Sequence, residues 1–282
     1  MAWRRPAALC VADQAALIVV GKISEIPERL VPGTLAWDLY QVEHKQRYQW
    51  ALEYCQDKRV LDVACGTGYG SVILAQRGAA QVVGVDISIE AVASNGKRPP
   101  RLMLANSDAC NLPFGDGTFD VVVSFETVEH LASPELLLAE ISRVLKPGGL
   151  CICSSPNRDF LPSSGPKEPN PFHLSEMSFA EFNQLFGKYF EISGRFSQTH
   201  SEGYRRHLEM LRELNQRLRP IRFSRLLRME AKIRELLGRS PLDSQDSLSP
   251  VLGRAVPGDY VIEPLHEASS DLLTFIFVGK RS

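Results

Sequence analysis

Short, almost purely apolar runs, each set off by polar or glycine-bearing turns, recur through the first half of the chain. Val60 to Val63, Val82 to Val85, Leu102 to Leu104, Phe119 to Ser124 and Leu150 to Cys153 predict five buried strands. Pro134 to Leu145 carries helical periodicity instead, with Ser133 as N-cap and Pro134 at the first helical position. Lys146-Pro147-Gly148-Gly149 stops that helix. Glu43 to Tyr48 reads as a helix leading into strand one. Further on, Ser178 to Lys188 reads as a helix, Tyr189 to Gln198 as strand six and Leu272 to Val278 as strand seven.

Chemistry enters at the first turn. Val60-Leu61-Asp62-Val63-Ala64-Cys65-Gly66-Thr67-Gly68-Tyr69-Gly70 runs from a strand through an acidic residue and a glycine-rich turn into a helix. Glycines there let the backbone approach a ligand closely. Asp86 closes the next strand, about 20 residues on, where such folds grip a ribose diol. A nucleoside-containing cofactor is the first inference. A dinucleotide site has its third glycine one residue later than Gly70. Asp62 at the loop mouth would repel a pyrophosphate but favour the ammonium and sulfonium of S-adenosylmethionine. Asn106-Ser107-Asp108-Ala109 places a side-chain acceptor where an adenine amino group could lie.

The ordered set LDVACGTGYG, VVGVDIS, NSDACNLPF, FDVVVSFETVEHL and LKPGGLCICSSPN, spanning roughly Arg59 to Asn157, resembles the class I S-adenosylmethionine-dependent methyltransferases. The resemblance implies an α/β fold, a doubly wound, mostly parallel seven-stranded sheet with an antiparallel last strand and a helical insertion before it. It implies Asp62, Ala64, Gly66 and Gly68 around the methionine moiety, Asp86 and Ile87 at the ribose, and Asp108 with Ala109 at the adenine. Ser124 and Glu126 join this cofactor set at the end of strand four. The leading helix resembles that of bacterial glycan-pathway methyltransferases, which implies Arg47 and Tyr48 as contacts to the methionine end.

Two features lie where a methyl acceptor should arrive. The first is Glu126-Thr127-Val128-Glu129-His130; if helical, it puts Glu126, Glu129 and His130 on one face. The second is His173. Two carboxylates plus imidazoles make a ligand set for Mg²⁺ or Mn²⁺. Glu-x-x-Glu-His with a later histidine also resembles metal-dependent O-methyltransferases, including small-RNA 2′-O-methyltransferases. Without a metal, His173 is the preferred general base and His130 the second. The expected activity is methyl transfer to a hydroxyl of a small molecule or sugar. The rivals are methylation of an RNA end, an NAD(P)-dependent oxidoreductase, and a non-catalytic cofactor-binding regulator.

Composition narrows the partners. Lys+Arg 32 against Asp+Glu 33 leaves no global field for nucleic acid. The six cysteines show no zinc spacing; Cys151 and Cys153 alternate on a strand as apolar filler, and free thiols suit a cytoplasmic protein. No run is long and apolar enough for a membrane span, and Asp13 with Gln14 interrupts the stretch after Arg4 and Arg5 that a signal peptide would need. The expected organisation is an N-terminal extension over 1–40, a methyltransferase domain over 41–199 and 258–282, and a basic helical insertion over 200–257. The insertion reads as a solvated cover, a lid over an anionic substrate, or a patch for a membrane surface or RNA.

Overall fold

The computed structural model describes residues 30, 35–94, 98–160, 170, 172–204, 206, 258–265 and 273–282. In chain order the elements are α1 (Leu35–Cys55), β1 (Arg59–Val63), α2 (Tyr69–Gln76), β2 (Gln81–Asp86), α3 (Ile89–Ala93), β3 (Leu102–Asn106) and β4 (Phe119–Phe125). A 3₁₀ turn (Val128–His130), α4 (Pro134–Val144), β5 (Leu145–Pro156), α5 (Phe179–Phe186), β6 (Glu191–His200), β7 (Tyr260–Pro264) and β8 (Thr274–Lys280) follow. The chain divides into two compact units. One comprises Glu43–Leu161, Pro171–Thr199 and Ile262–Ser282; the other comprises Met1–Val42, Pro162–Asn170 and His200–Val261.

The strands form one sheet in the order β3-β2-β1-β4-β5-β8-β6-β7. β1 pairs in parallel with β2 and β4, β2 with β3, and β4 with β5. β8 runs antiparallel to both β5 and β6. Because the chain steps from β1 to β2 and β3 on one side, then to β4 and β5 on the other, the order reverses between β1 and β4. In open α/β sheets that reversal opens a crevice beyond the strand ends, where ligands bind.

The central strands β1, β2, β4, β5 and β8 are mostly apolar because both faces are covered. On one face Leu61, Val63, Val122, Cys151, Cys153 and Phe277 pack with Leu137, Leu138 and Ile141 of α4 and Phe182 and Phe186 of α5. On the other, Val60, Val82, Val121, Val123, Ile152 and Ile276 pack with Tyr48 and Ala51 of α1 and Leu74 of α2. Cys151 and Cys153 share the first face as predicted, fully buried, and burial pushes both thiols up.

Three local expectations change. The sheet has eight strands, not seven: β7 is short, ends on Pro264 and is half-exposed, so it carries no buried-run signal. β5 begins at Leu145, so Lys146-Pro147-Gly148-Gly149 is part of the strand, opposite a register shift between Phe119 and Val121. Gly149 is required there, since a Cβ would stand 2.9 Å from the Lys146 carbonyl oxygen and 3.0 Å from that of Asp120. Ser133 precedes α4 without a side-chain capping bond, whereas Ser178 and Glu181 form a full capping box on α5. Most of the N-terminal extension expected over 1–40 and of the basic helical insertion expected over 200–257 lies outside the described residues. In the smaller unit His200 stands with Tyr204 and Tyr260 in an aromatic trio, its ring 5.2 Å and 5.1 Å from theirs. No described helix is long and apolar enough to cross a membrane.

Candidate active site

The turn after β1 is held open by backbone conformations that favour glycine. Ala64 (φ 58°), Gly66 (φ 58°) and Gly68 (φ 79°) are all left-handed. Gly68 then starts α2 without a side-chain capping bond. Asp62 stands beside this turn, fully buried. It accepts hydrogen bonds from the Tyr48 hydroxyl (3.0 Å) and the Ser71 hydroxyl (2.5 Å). Burial pushes its carboxyl up to about 7, with the two hydroxyl bonds opposing and Asp86 adding to the rise.

Asp86, at the end of β2, reaches back across the turn. Its two oxygens accept from the backbone N–H of Gly66 (2.8 Å) and of Ser88 (2.8 Å). The carboxylate therefore shapes the glycine turn as well as facing the crevice. Asn106 at the end of β3 braces it from behind, donating to the carbonyls of Asp86 (3.1 Å) and Ile87 (2.8 Å). Ile87 and Ile89 just beyond are 55% and 63% exposed, an uncovered apolar ledge beside a carboxylate. Asp108 is exposed and uses one oxygen on the Cys110 N–H (2.8 Å); Ala109 packs on the core behind it.

α1 forms a wall of this site. Tyr48 meets Tyr69 edge-on (5.9 Å) and Phe125 edge-on (5.0 Å) while bonding Asp62. Arg47, fully buried, donates to the Gln198 side-chain oxygen, and Gln198 donates to the Glu43 carbonyl (2.9 Å) and the Gln46 side chain (2.7 Å). The Tyr69 hydroxyl lies 3.2 Å from His44 Nδ1, and His44 Nε2 lies 3.6 Å from Glu43 Oε1. Burial and the Arg47 guanidinium hold His44 well below its ordinary range, so the ring is neutral. Sequence reasoning named Arg47 and Tyr48 but missed His44, Tyr69, Ser71 and Gln198. Nothing in the local pattern joins partners as distant as Arg47 and Gln198, 151 residues apart.

The second cluster follows β4. Glu126 sits at φ 51°, outside the 3₁₀ turn, and its carboxylate accepts from Ser154 (2.7 Å). The turn covers Val128 to His130 only, so the expected shared helical face of Glu126, Glu129 and His130 does not form. Glu129, His130 and His173 do converge: one ligand atom from each lies within 4.8 Å of the others. Glu129 is fully buried and neither side-chain oxygen has a hydrogen-bond partner among the described residues; His130 Nε2 lies 3.7 Å from one of them. Burial pushes Glu129 up to about 8, the His130 imidazole pulling the other way and Glu126 and Glu176 adding to the rise. The His130 and His173 rings meet edge-on at 4.9 Å. His173 Nδ1 is 3.3 Å from Glu176, and its side chain is 3% exposed against 27% for His130. The 172–175 segment clamps the turn, with Ser175 donating to the carbonyls of Glu129 (3.0 Å) and Val128 (2.9 Å). Ser124, deeper in β4, has a fully buried hydroxyl without a hydrogen bond among the described residues.

Residues 61–153, from the middle of β1 into β5, match the family described as Methyltransferase domain. A protein named as a probable S-adenosylmethionine-dependent methyltransferase of Mycolicibacterium smegmatis is 33% identical over 177 residues, covering 62% of this chain and 68% of that one. The chain belongs to the S-adenosylmethionine-dependent methyltransferases. The donor's chemistry agrees with the crevice: a buried carboxylate at the loop mouth, a glycine turn, a second carboxylate on β2 and an apolar ledge beside it. The family leaves the acceptor atom open. An O-methyltransferase of Penicillium expansum is 37% identical over 103 residues (34% of this chain, 37% of that protein). A norajmaline N-methyltransferase of Rauvolfia serpentina is 33% identical over 120 residues (40% and 41%). Among solved structures, a [4+2]-cyclase aligns at TM-score 0.53 with 18% identity, over 86% of this chain and 83% of that one. Methyltransferase-type architecture therefore hosts other chemistry, and the acceptor must be argued from the site.

Proposed function

We propose that this methyltransferase alkylates a hydroxyl oxygen of a small molecule, such as a phenol or a sugar. The observation that carries the proposal is the convergence of Glu129, His130 and His173 beyond β4. A neutral amine attacks with a free lone pair, whereas a hydroxyl needs its proton removed or its pKa lowered. A buried carboxylate without side-chain hydrogen bonds among the described residues, with two imidazoles converging on it, is equipment for the second task.

The donor, when bound, supplies a methyl group on a positively charged sulfur. In this reading Asp62 favours that charge, and Tyr48 and Ser71 hold Asp62 in place. Asp86 takes the ribose diol, with Ile87 beside it. Asp108 and Ala109 take the adenine, and Arg47 stands at the methionine end. Ser124 and Glu126 line the deep side.

Glu129, His130 and His173 would hold a divalent cation, Mn²⁺ or Mg²⁺, and their donor set fits one. A cation there supplies Lewis acidity that lowers the acceptor's pKa. Glu126 stands apart from that set, tied to Ser154. If the stripped enzyme keeps full turnover, His130, the more exposed imidazole, is the base, with His173 packed behind it. In this reading the transfer domain spans 41–199 and 258–282, with the basic insertion over 200–257 as a separate element.

The test is a pooled screen with methyl-labelled donor against hydroxyl and amine acceptors, run on metal-stripped enzyme with and without Mn²⁺. Label on oxygen, with turnover raised by Mn²⁺, is the expected result. Label on nitrogen overturns the reading.

A further inference from the structure

Glu43, His44 and Tyr69 form a carboxylate–imidazole–phenol chain that ends at the glycine turn. Tyr69 is the first residue of α2, directly after Gly68. Its hydroxyl lies 3.2 Å from His44 Nδ1, and His44 Nε2 lies 3.6 Å from a Glu43 oxygen. Glu43 is buried, and the His44 side chain is 16% exposed. With Nδ1 accepting from Tyr69, the ring proton sits on Nε2 and faces Glu43. An imidazole with a carboxylate 3.6 Å from one nitrogen and a hydroxyl 3.2 Å from the other has the order of groups that carries a proton.

The chain ends beside the glycine turn that the proposed function gives to the donor. Tyr69 stands edge-on to Tyr48, which bonds Asp62. Glu126 acts electrostatically on both Tyr69 and Glu129. A cation on Glu129, His130 and His173 would orient the acceptor oxygen but occupy both imidazoles, and the departing proton needs another destination.

We infer that Tyr69 and His44 are that destination: Tyr69 is a catalytic residue that relays the acceptor's proton to His44, with Glu43 as a positioning residue. This rests on the O-methylation reading. The acceptor oxygen gains the carbon–oxygen bond as the sulfur–methyl bond breaks and its electron pair returns to sulfur. The acceptor's proton passes to the Tyr69 oxygen while the Tyr69 proton passes to His44 Nδ1. Charge balances, because the positive charge that leaves sulfur reappears on the imidazole. His44 is neutral beforehand, as burial and Arg47 dictate. Arg47 acts on His44 directly, Glu43 faces its Nε2 and Tyr69 its Nδ1; Arg47, Asp62, Glu43 and Glu126 act in turn on Tyr69.

The test is histidine ¹⁵N NMR of the full chain with S-adenosylmethionine and with its demethylated product, S-adenosylhomocysteine, using His44→Gln to assign the signal. The relay requires the Nε2–H form of His44 with the donor. It also requires titration at higher pH with the product, because the lost positive charge no longer opposes a second one on the imidazole; the shift read is roughly one pH unit. Equal titration in the two complexes, or none above pH 5 in either, overturns the relay. In turnover, Tyr69→Phe keeps the ring against Tyr48 and removes only the hydroxyl. It is expected to lower kcat for a hydroxyl acceptor about 100-fold, with donor affinity and acceptor KM within threefold of wild type. Unchanged kcat overturns the relay while leaving O-methylation intact. Wild-type transfer to amines alone overturns O-methylation instead.

Discussion

A Cβ placed on Gly70 would stand 2.1 Å from Tyr48 Cζ, so the side-chain-free residue at 70 is what lets the Tyr48 ring reach Asp62. This accounts for a glycine spacing that fits no dinucleotide fingerprint. Gly70 serves the tyrosine of α1, not a phosphate. Gly70→Ala is expected to force Tyr48 aside and cost about 1–3 kcal/mol, as overpacking does. The melting temperature should fall by roughly 2–10 °C, and donor affinity should fall with it. Thermal unfolding and donor titration check both; an unchanged melting temperature would remove the packing argument.

The pH dependence of folding follows from two buried carboxyls. Asp62 is pushed up to about 7 and Glu129 to about 8, both mainly by burial, from ordinary values near 4. Between the unfolded and folded values the native state holds the extra proton, so stability is full at the acid end and declines as pH rises from about 4 to about 8. Stripped, donor-free enzyme should show that decline in denaturant melts. Asp62→Asn should flatten the part below about 7, and Glu129→Gln the part below about 8. A stability that climbs over this window contradicts both assignments.

Donor binding should carry the opposite sign at Asp62. A cationic donor favours the ionised carboxyl, so affinity rises with pH up to about 7 and levels off above it. Binding below that point releases a proton, which titration calorimetry in two buffers of different ionisation enthalpy detects. Asp62→Asn should bind more weakly and without this pH dependence. Proton release that persists in the variant would assign the titration to another group.

The two glutamates of the Glu-x-x-Glu-His stretch should separate. Glu129 converges with His130 and His173, whereas Glu126 is occupied by Ser154. Glu129→Gln should abolish stoichiometric Mn²⁺ binding, and Glu126→Gln should leave it within about threefold. Equilibrium dialysis with metal analysis decides the matter; equal loss in both variants would restore Glu126 to the ligand set.

Sequence legibility followed the physics of each element. β1, β2, β4 and β5 were readable because strands covered on both faces must be apolar at every position. The Asp62 turn was readable because left-handed backbone favours glycine, and Asp86 because it closes a buried apolar strand. β7 was not, because an edge strand with half-exposed Val261 and Ile262 lacks a period to detect. The Glu126–His130 helix failed because Glu126 adopts a left-handed φ that ends regular geometry before the turn starts. The His44–Tyr69 pair joins α1 to α2 through tertiary packing, which no spacing rule encodes.

Asp86 offers the sharpest separation of building from binding. Its carboxylate holds the Gly66 and Ser88 amides, and those bonds exist without any ligand. Asp86→Ala orphans two partly buried N–H groups, each costing about 1–3 kcal/mol where water does not replace the bond. It should therefore lower the melting temperature of the donor-free enzyme as well as donor affinity. Asp86→Asn keeps one acceptor oxygen for Gly66 but offers no full carboxylate to a diol. Its donor-free melting temperature should lie nearer wild type, while its donor affinity drops at least about tenfold, the scale of a lost charge-assisted bond. If 2′-deoxy donor binds wild type and Asp86→Asn alike while natural donor still prefers wild type, the ribose contact is confirmed at the diol. If Asp86→Asn binds natural donor normally, the carboxylate shapes the turn and the ribose lies elsewhere.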